Sequence, residues 1–103
     1  MNEESPVFEL RVSSEGQRWR VQLQGELDMA QTSILADAAE ALRDCRLSTV
    51  DLDLGCVTFI DSAGYRAVLD ASEIITEGGA DVHIFNESGA VRRLQHLWEL
   101  SAA

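Results

Sequence analysis

Positive charge is scarce in this sequence, which contains no lysine and only eight arginines against 18 aspartates and glutamates. The formal net charge is therefore −10, and the pI is near 4.4. Binding to nucleic acid or to an anionic membrane needs clustered cations that neutralise phosphates, and the scattered arginines form no such stripe. Both ligands are poor candidates, whereas charge complementarity favours a partner with a basic face.

Long apolar runs are also missing, so no segment reaches the length of a membrane-spanning helix. Glu3 and Glu4 occupy the region where a signal peptide carries positive charge, and we therefore expect a cytoplasmic protein. Cysteine is scarce as well. Cys45 and Cys56 form no CxxC pair, and we expect both to be buried free thiols rather than a disulfide or metal ligands.

The 103 residues, 46% of them hydrophobic, suffice for one domain over residues 1–103. Apolar and polar residues alternate over 8–12 and 19–23, on either side of a Ser-Ser-Glu-Gly turn, which predicts a β-hairpin with one wet face. Gly25-Glu26-Leu27-Asp28 closes the second strand.

The rest of the sequence alternates helical spacing with strand spacing. Helical spacing predicts three helices, which run from Gln31 to about Cys45, from Gly64 to Gly78-Gly79, and from about Gly89 onward. Between them, residues 50–54 predict an inner strand that leads through 57–60 into a loop, and residues 82–85 predict a short strand. The order ββαβαβα requires crossover connections and thus parallel pairing in its second part. We predict an α/β domain with a mixed sheet of four or five strands flanked by helices.

One segment, Val57 to Gly64, has the composition of a functional site. In this segment, Asp61 and Ser62 lie where a strand ends and a helix begins. The N-terminus of a helix offers free N–H groups and the positive end of the helix dipole. Either side chain can cap that helix, contributing on the order of 1 kcal/mol. The same place suits a phosphate on Ser62, which would add about −1.5 to −2 charges within reach of Arg66. Capping and phosphorylation are thus two open interpretations.

Catalytic and metal-binding patterns are weak. Ser62 lacks the glycine two residues before it that a nucleophile elbow requires, and nothing ties His83 or His96 to it. The alternation around His83 predicts a surface histidine. Asp51 and Asp53 share one face of a strand, but without further ligands we expect a solvated or loop-facing pair rather than a divalent-cation site.

Three segments together resemble the STAS domain of bacterial anti-sigma-factor antagonists. They are Gly25-Glu26-Leu27-Asp28, Asp53 to Gly64, and Val91-Arg92-Arg93-Leu94, and they follow the family's order over nearly the whole chain. Phe-Ile-Asp-Ser-Ala-Gly at 59–64 is the specific part. The resemblance implies a sheet flanked by helices, a binding protein rather than an enzyme, and no cofactor.

The resemblance also implies a mechanism, in which Ser62 is the phosphorylated serine. The unphosphorylated antagonist binds an anti-sigma factor, a serine kinase of the histidine-kinase-like ATPase fold, and thereby releases the sigma factor. Phosphorylation switches this binding off, because it adds charge and bulk to the contact surface. A PP2C-type phosphatase then restores the binding form.

By the same resemblance, the partner-binding surface comprises Asp28, Asp61, Ser62, Ala63, Gly64, Tyr65 and Arg66. Asp28 is expected near the phosphorylation loop, Asp61 is expected to cap and orient that loop, and Gly64 to permit close backbone approach. Tyr65 and Arg66 are expected to form the exposed start of the helix. Tyr65 stands where the family usually has leucine, so that its phenol either packs into the core or alters the shape that a partner meets, which bears on kinase recognition.

Two alternatives follow from the use of STAS domains elsewhere. One is a small cytoplasmic subunit of a lipid-transport ATP-binding-cassette complex, in which the motif helix docks permanently on the ATPase. The other is an unmodified scaffold in a signalling assembly, which binds partners although its serine never carries a phosphate.

Overall fold

The computed structural model describes residues 7–102, and the side chains of residues 7–100. Its elements are β1 (Phe8–Glu15), β2 (Arg18–Leu27), α1 (Thr32–Asp44), β3 (Thr49–Ile60), α2 (Ser62–Glu77), β4 (Asp81–Phe85) and α3 (Gly89–Ala102). A single 3₁₀ turn, Met29–Gln31, joins β2 to α1. The predicted order ββαβαβα is confirmed. The segment that holds Glu3 and Glu4 lies outside the described residues.

The four strands form one mixed sheet in the order β1-β2-β3-β4. β1 and β2 are antiparallel, as the predicted hairpin requires, and β3 runs parallel to both β2 and β4. The hairpin turn includes Gly16 at φ +66°, a left-handed conformation that glycine adopts without steric cost. The α/β class, the mixed sheet and the parallel pairing are therefore confirmed.

Side chains on one face of the sheet form the core with the helices. The central strands contribute Val21, Leu23, Val50, Leu52 and Leu54, all fully buried. The helices add their own buried stripes, namely Leu35, Ala39 and Leu42 from α1, Val68, Ala71 and Ile75 from α2, and Val91 from α3. The opposite face of the sheet is polar. No helix within the described residues is both long enough and apolar enough to cross a membrane.

Asp51 and Asp53 are buried, with exposed fractions of 5% and 4%, so the predicted alternative of a solvated pair is wrong, whereas Asp53 does face a loop residue, Asn86. β3 is central, and its short carboxylates lie on the polar face between longer side chains of β2 and β4. Arg18 donates from Nε to Asp51 Oδ2 at 2.9 Å. Asp53 Oδ1 accepts from the Gly55 amide at 2.9 Å and from Asn86 Nδ2 at 3.0 Å. Both aspartates thus stabilise the fold.

The two cysteines are free, as predicted, but both are exposed, so the prediction of buried thiols is wrong. Cys45 is the C-cap of α1, where the helix ends at the surface. Cys56 lies three residues beyond Asp53, the last β3 residue that pairs with β4. This part of β3 therefore has no pairing with β4 on that side. His83 is exposed, as predicted.

Candidate functional site

The ends of β2 and β3 bring the two acidic motif residues together. Leu27 pairs with Ile60 in the parallel β2–β3 ladder, so Asp28 and Asp61 leave the sheet at the same edge. The Asp61 amide donates to the Leu27 carbonyl at 3.4 Å, which ties the two strand ends. The carboxyl ends of parallel strands are the common position for binding sites in α/β sheets. We call the surface at the carboxyl ends of these two central strands the β2–β3 edge. It comprises Asp28, Met29, Phe59, Asp61 and Ser62.

Asp61 is the N-cap of α2. Its backbone is extended, and its Oδ1 accepts a 2.7 Å hydrogen bond from the Gly64 amide. Ser62 is the first helical residue, and its side chain is exposed. Within the described residues, no group forms a hydrogen bond with the Ser62 hydroxyl. Of the two residues that the sequence offered as caps, the structure uses Asp61 and leaves Ser62 Oγ accessible.

Asp28 has a similar capping role on the neighbouring segment. Its Oδ1 accepts from the Ala30 amide at 2.9 Å, and Gln31 Oε1 accepts from the Asp28 amide at 3.0 Å. This reciprocal pair is a capping box, and it fixes the Met29–Gln31 turn beside the start of α2. Asp28 therefore lies near the start of α2, which holds Ser62, and its carboxylate accepts a hydrogen bond from the backbone.

Gly64 lies where α2 crosses the end of β2. A Cβ at this position would stand 2.1 Å from the Leu27 carbonyl oxygen and 2.9 Å from its carbon. These are backbone atoms that cannot rotate away, so only glycine permits this approach. The contact holds the N-terminus of α2 against the strand that carries Asp28.

Tyr65 and Arg66 contact Trp98 of α3. The rings of Tyr65 and Trp98 meet edge to face, with centroids 5.0 Å apart and planes at 67°. The Arg66 guanidinium lies over the Trp98 ring, 5.4 Å from its centroid. Arg66 is exposed, as expected, but Tyr65 is half-buried and packs against the core, because Trp98 and the sheet cover it. The expectation of an exposed Tyr65 is therefore wrong.

Two exposed apolar side chains lie close in sequence to the motif aspartates Asp28 and Asp61. Met29 is 72% exposed immediately after Asp28, and Phe59 is 49% exposed two residues before Asp61. Neither a site role for Met29 nor the exposure of Phe59 was predicted, because Met29 lies outside the strands and bulges in the β2–β3 pairing shift the alternation near Phe59. The sequence feature that marks both residues is their position, because Met29 directly follows Asp28 and Phe59 lies two residues before Asp61.

The comparisons agree with this architecture. A family model described as "Mlab, STAS domain" matches residues 10–102. The chain belongs to this STAS-domain family.

Solved structures of anti-sigma-factor antagonists are similar to the chain. The antagonist from Mycobacterium paratuberculosis is 26% identical with a TM-score of 0.71, and the match covers 92% of this chain and 80% of that one. Unphosphorylated SpoIIAA is also 26% identical, with a TM-score of 0.67 and coverage of 92% and 83%.

A third similar structure is Mglu, at 30% identity and a TM-score of 0.64. The match covers 72% of this chain but only 18% of the Mglu chain. The chain therefore spans less than a fifth of the length of this relative. The comparison with curated proteins finds no match.

Proposed function

We propose that the protein is an anti-sigma-factor antagonist that is switched by phosphorylation of Ser62. In its unphosphorylated form it binds an anti-sigma factor in the cytoplasm and so releases a sigma factor. The protein has no catalytic role of its own. Its partners are a serine kinase of the histidine-kinase-like ATPase fold, which is the anti-sigma factor itself, and a PP2C-type phosphatase.

The observation that supports this proposal is that Asp61, rather than Ser62, caps α2. Within the part of the chain that the structure describes, Asp61 caps α2, and the exposed Ser62 hydroxyl forms no hydrogen bond at this helix N-terminus. A phosphate there would lie at the positive end of the α2 dipole, and Arg66 is one turn away. Modification is therefore compatible with the fold.

Phosphorylation would change the surface that a partner meets. The phosphate would add about −1.5 to −2 charges to the β2–β3 edge, which also holds the carboxylates of Asp28 and Asp61 and the exposed apolar groups Met29 and Phe59. A partner that buries these apolar groups would have to desolvate the phosphate, which is costly without a matching cation. Binding would weaken although the domain stays folded.

The test is phosphorylation with ATP and each anti-sigma kinase of the same genome, followed by intact mass. We expect one phosphate on the wild type and none on Ser62→Ala. The matched control is Ser33→Ala, because Ser33 is also an exposed serine in the first turn of a helix. A phosphate that persists in Ser62→Ala, or no phosphate with any kinase, would contradict the proposal.

A second candidate function is a permanent subunit of a lipid-transport ATP-binding-cassette complex. The exposure of Met29 and Phe59 at the β2–β3 edge favours it, because permanent interfaces have more apolar cores than transient ones. This function predicts stable copurification with an ATPase that Ser62→Asp does not weaken. Loss of the complex in Ser62→Asp would support the switch, and an unmodified scaffold would bind both forms without phosphorylation.

A further inference from the structure

The outward face of α3 carries a second set of exposed side chains. Arg93, His96, Leu97 and Leu100 follow the spacing i, i+3, i+4, i+7, so they share one helix face, and Arg92 lies beside them. All five are exposed, and the two leucines are 58% and 61% exposed. Val91 and Leu94, on the other side of the helix, already attach α3 to the core.

This face concentrates positive charge in an acidic protein. The arginines with carboxylate partners are Arg11, Arg18 and Arg43, and those over aromatic rings are Arg20 and Arg66. Within the described residues, Arg92 and Arg93 form neither kind of contact. The arginines that look scattered along the sequence therefore include one uncompensated pair, next to His96, on a protein of net charge −10.

The charge and the apolar groups adjoin one depression. Arg92, Arg93, His96 and Leu97 line a shallow, open groove on the surface of α3. Burial of leucine side chains would supply the favourable free energy of binding, and desolvated arginine–carboxylate pairs would add specificity. The groove thus has the two components of a helix-docking surface, an apolar seam and flanking charges.

We propose that the outward face of α3 docks an acidic amphipathic helix of a partner protein. Its apolar stripe contacts Leu97 and Leu100, and its carboxylates pair with Arg92 and Arg93. A second copy of this chain fits less well, because it would bring the same cations to the contact.

The test is titration of the ¹⁵N-labelled protein with a synthetic acidic amphipathic peptide that carries leucines at helical spacing. We expect amide shifts concentrated in residues 92–100, and an affinity at least tenfold weaker in 0.5 M than in 0.05 M NaCl. Arg92→Glu with Arg93→Glu should weaken binding at least tenfold, and Leu100→Ser several-fold. The control, Arg11→Glu with Arg46→Glu, changes the net charge equally and should bind as the wild type does.

Three results would overturn the proposal. The first is absence of shifts in α3 from a wild-type protein whose spectrum shows it to be folded. The second is equal affinity for a peptide in which every glutamate is lysine. The third is dimerisation through α3, seen as a doubled sedimentation mass without peptide and lost in the Arg92→Glu, Arg93→Glu variant.

Discussion

At the residue scale, neighbouring positions of the Asp-Ser-Ala-Gly motif have separate tasks. Asp61 satisfies an amide at the start of α2, and Gly64 lets that start lie against Leu27. The side chain of Ser62 contributes neither a hydrogen bond nor core packing within the described part of the chain. The motif thus combines two residues that stabilise the structure, Asp61 and Gly64, with Ser62 between them, whose hydroxyl is accessible.

The first prediction tests whether Asp61 or Ser62 caps α2. Asp61→Ala removes the hydrogen bond to the Gly64 amide and should lower the free energy of unfolding by about 1 kcal/mol. Ser62→Ala should change it by less than about 0.5 kcal/mol, because the hydroxyl is exposed and unbonded. Urea unfolding followed by circular dichroism measures both. A larger loss for Ser62→Ala than for Asp61→Ala would assign the capping role to Ser62.

The second prediction concerns the contact between α2 and β2. Gly64→Ala should destabilise the protein by about 1–3 kcal/mol, because the new Cβ would overlap backbone atoms of Leu27. Gly89→Ala is the control, since its Cβ would meet only the end of the Arg93 side chain at 3.4 Å. The same urea experiment compares them. Equal stability of the two variants would show that α2 can shift away from β2 at little cost.

At the element scale, hydrophobic periodicity predicted the strands, the helices and the pairing of the strands, but it did not predict the burial of several side chains. Period-two alternation identified the hairpin, and crossover connections required parallel strands. Burial of Asp51 and Asp53 depends on the long neighbours that the sheet order places beside them. Half-burial of Tyr65 depends on Trp98, 33 positions later. Neither neighbour is encoded locally, so spacing alone does not predict these contacts.

The contact between α2 and α3 supports the third prediction. In Ser62→Glu, the new carboxylate lies four residues before Arg66 on the helix and should draw its guanidinium from the Trp98 ring. The indole resonance of Trp98, observed in a Trp19→Phe background, should then shift toward its position in Arg66→Ala. Ser62→Gln is the uncharged control and should leave it unchanged. Identical spectra for Ser62→Glu and Ser62→Gln would exclude this exchange of partners by Arg66.

At the scale of the whole molecule, the net charge of −10 on 103 residues acts on stability. Like charges repel more strongly in the compact state than in the expanded unfolded chain, and salt screens this repulsion. Among the described residues, each ion pair has at least one exposed partner, so salt removes little attraction. Repulsion is therefore the larger electrostatic effect.

The fourth prediction is that salt stabilises this protein. Raising NaCl from about 20 to 200 mM should increase the free energy of unfolding by on the order of 1 kcal/mol, because the screening length falls below the spacing of many surface charges. Urea unfolding at each salt concentration measures it. The increase should be larger in Arg92→Glu with Arg93→Glu, whose net charge is more negative, and smaller in a variant with two exposed glutamates, Glu40 and Glu73, replaced by glutamine. A stability that falls with salt in all three proteins would mean that attraction among surface charges outweighs repulsion.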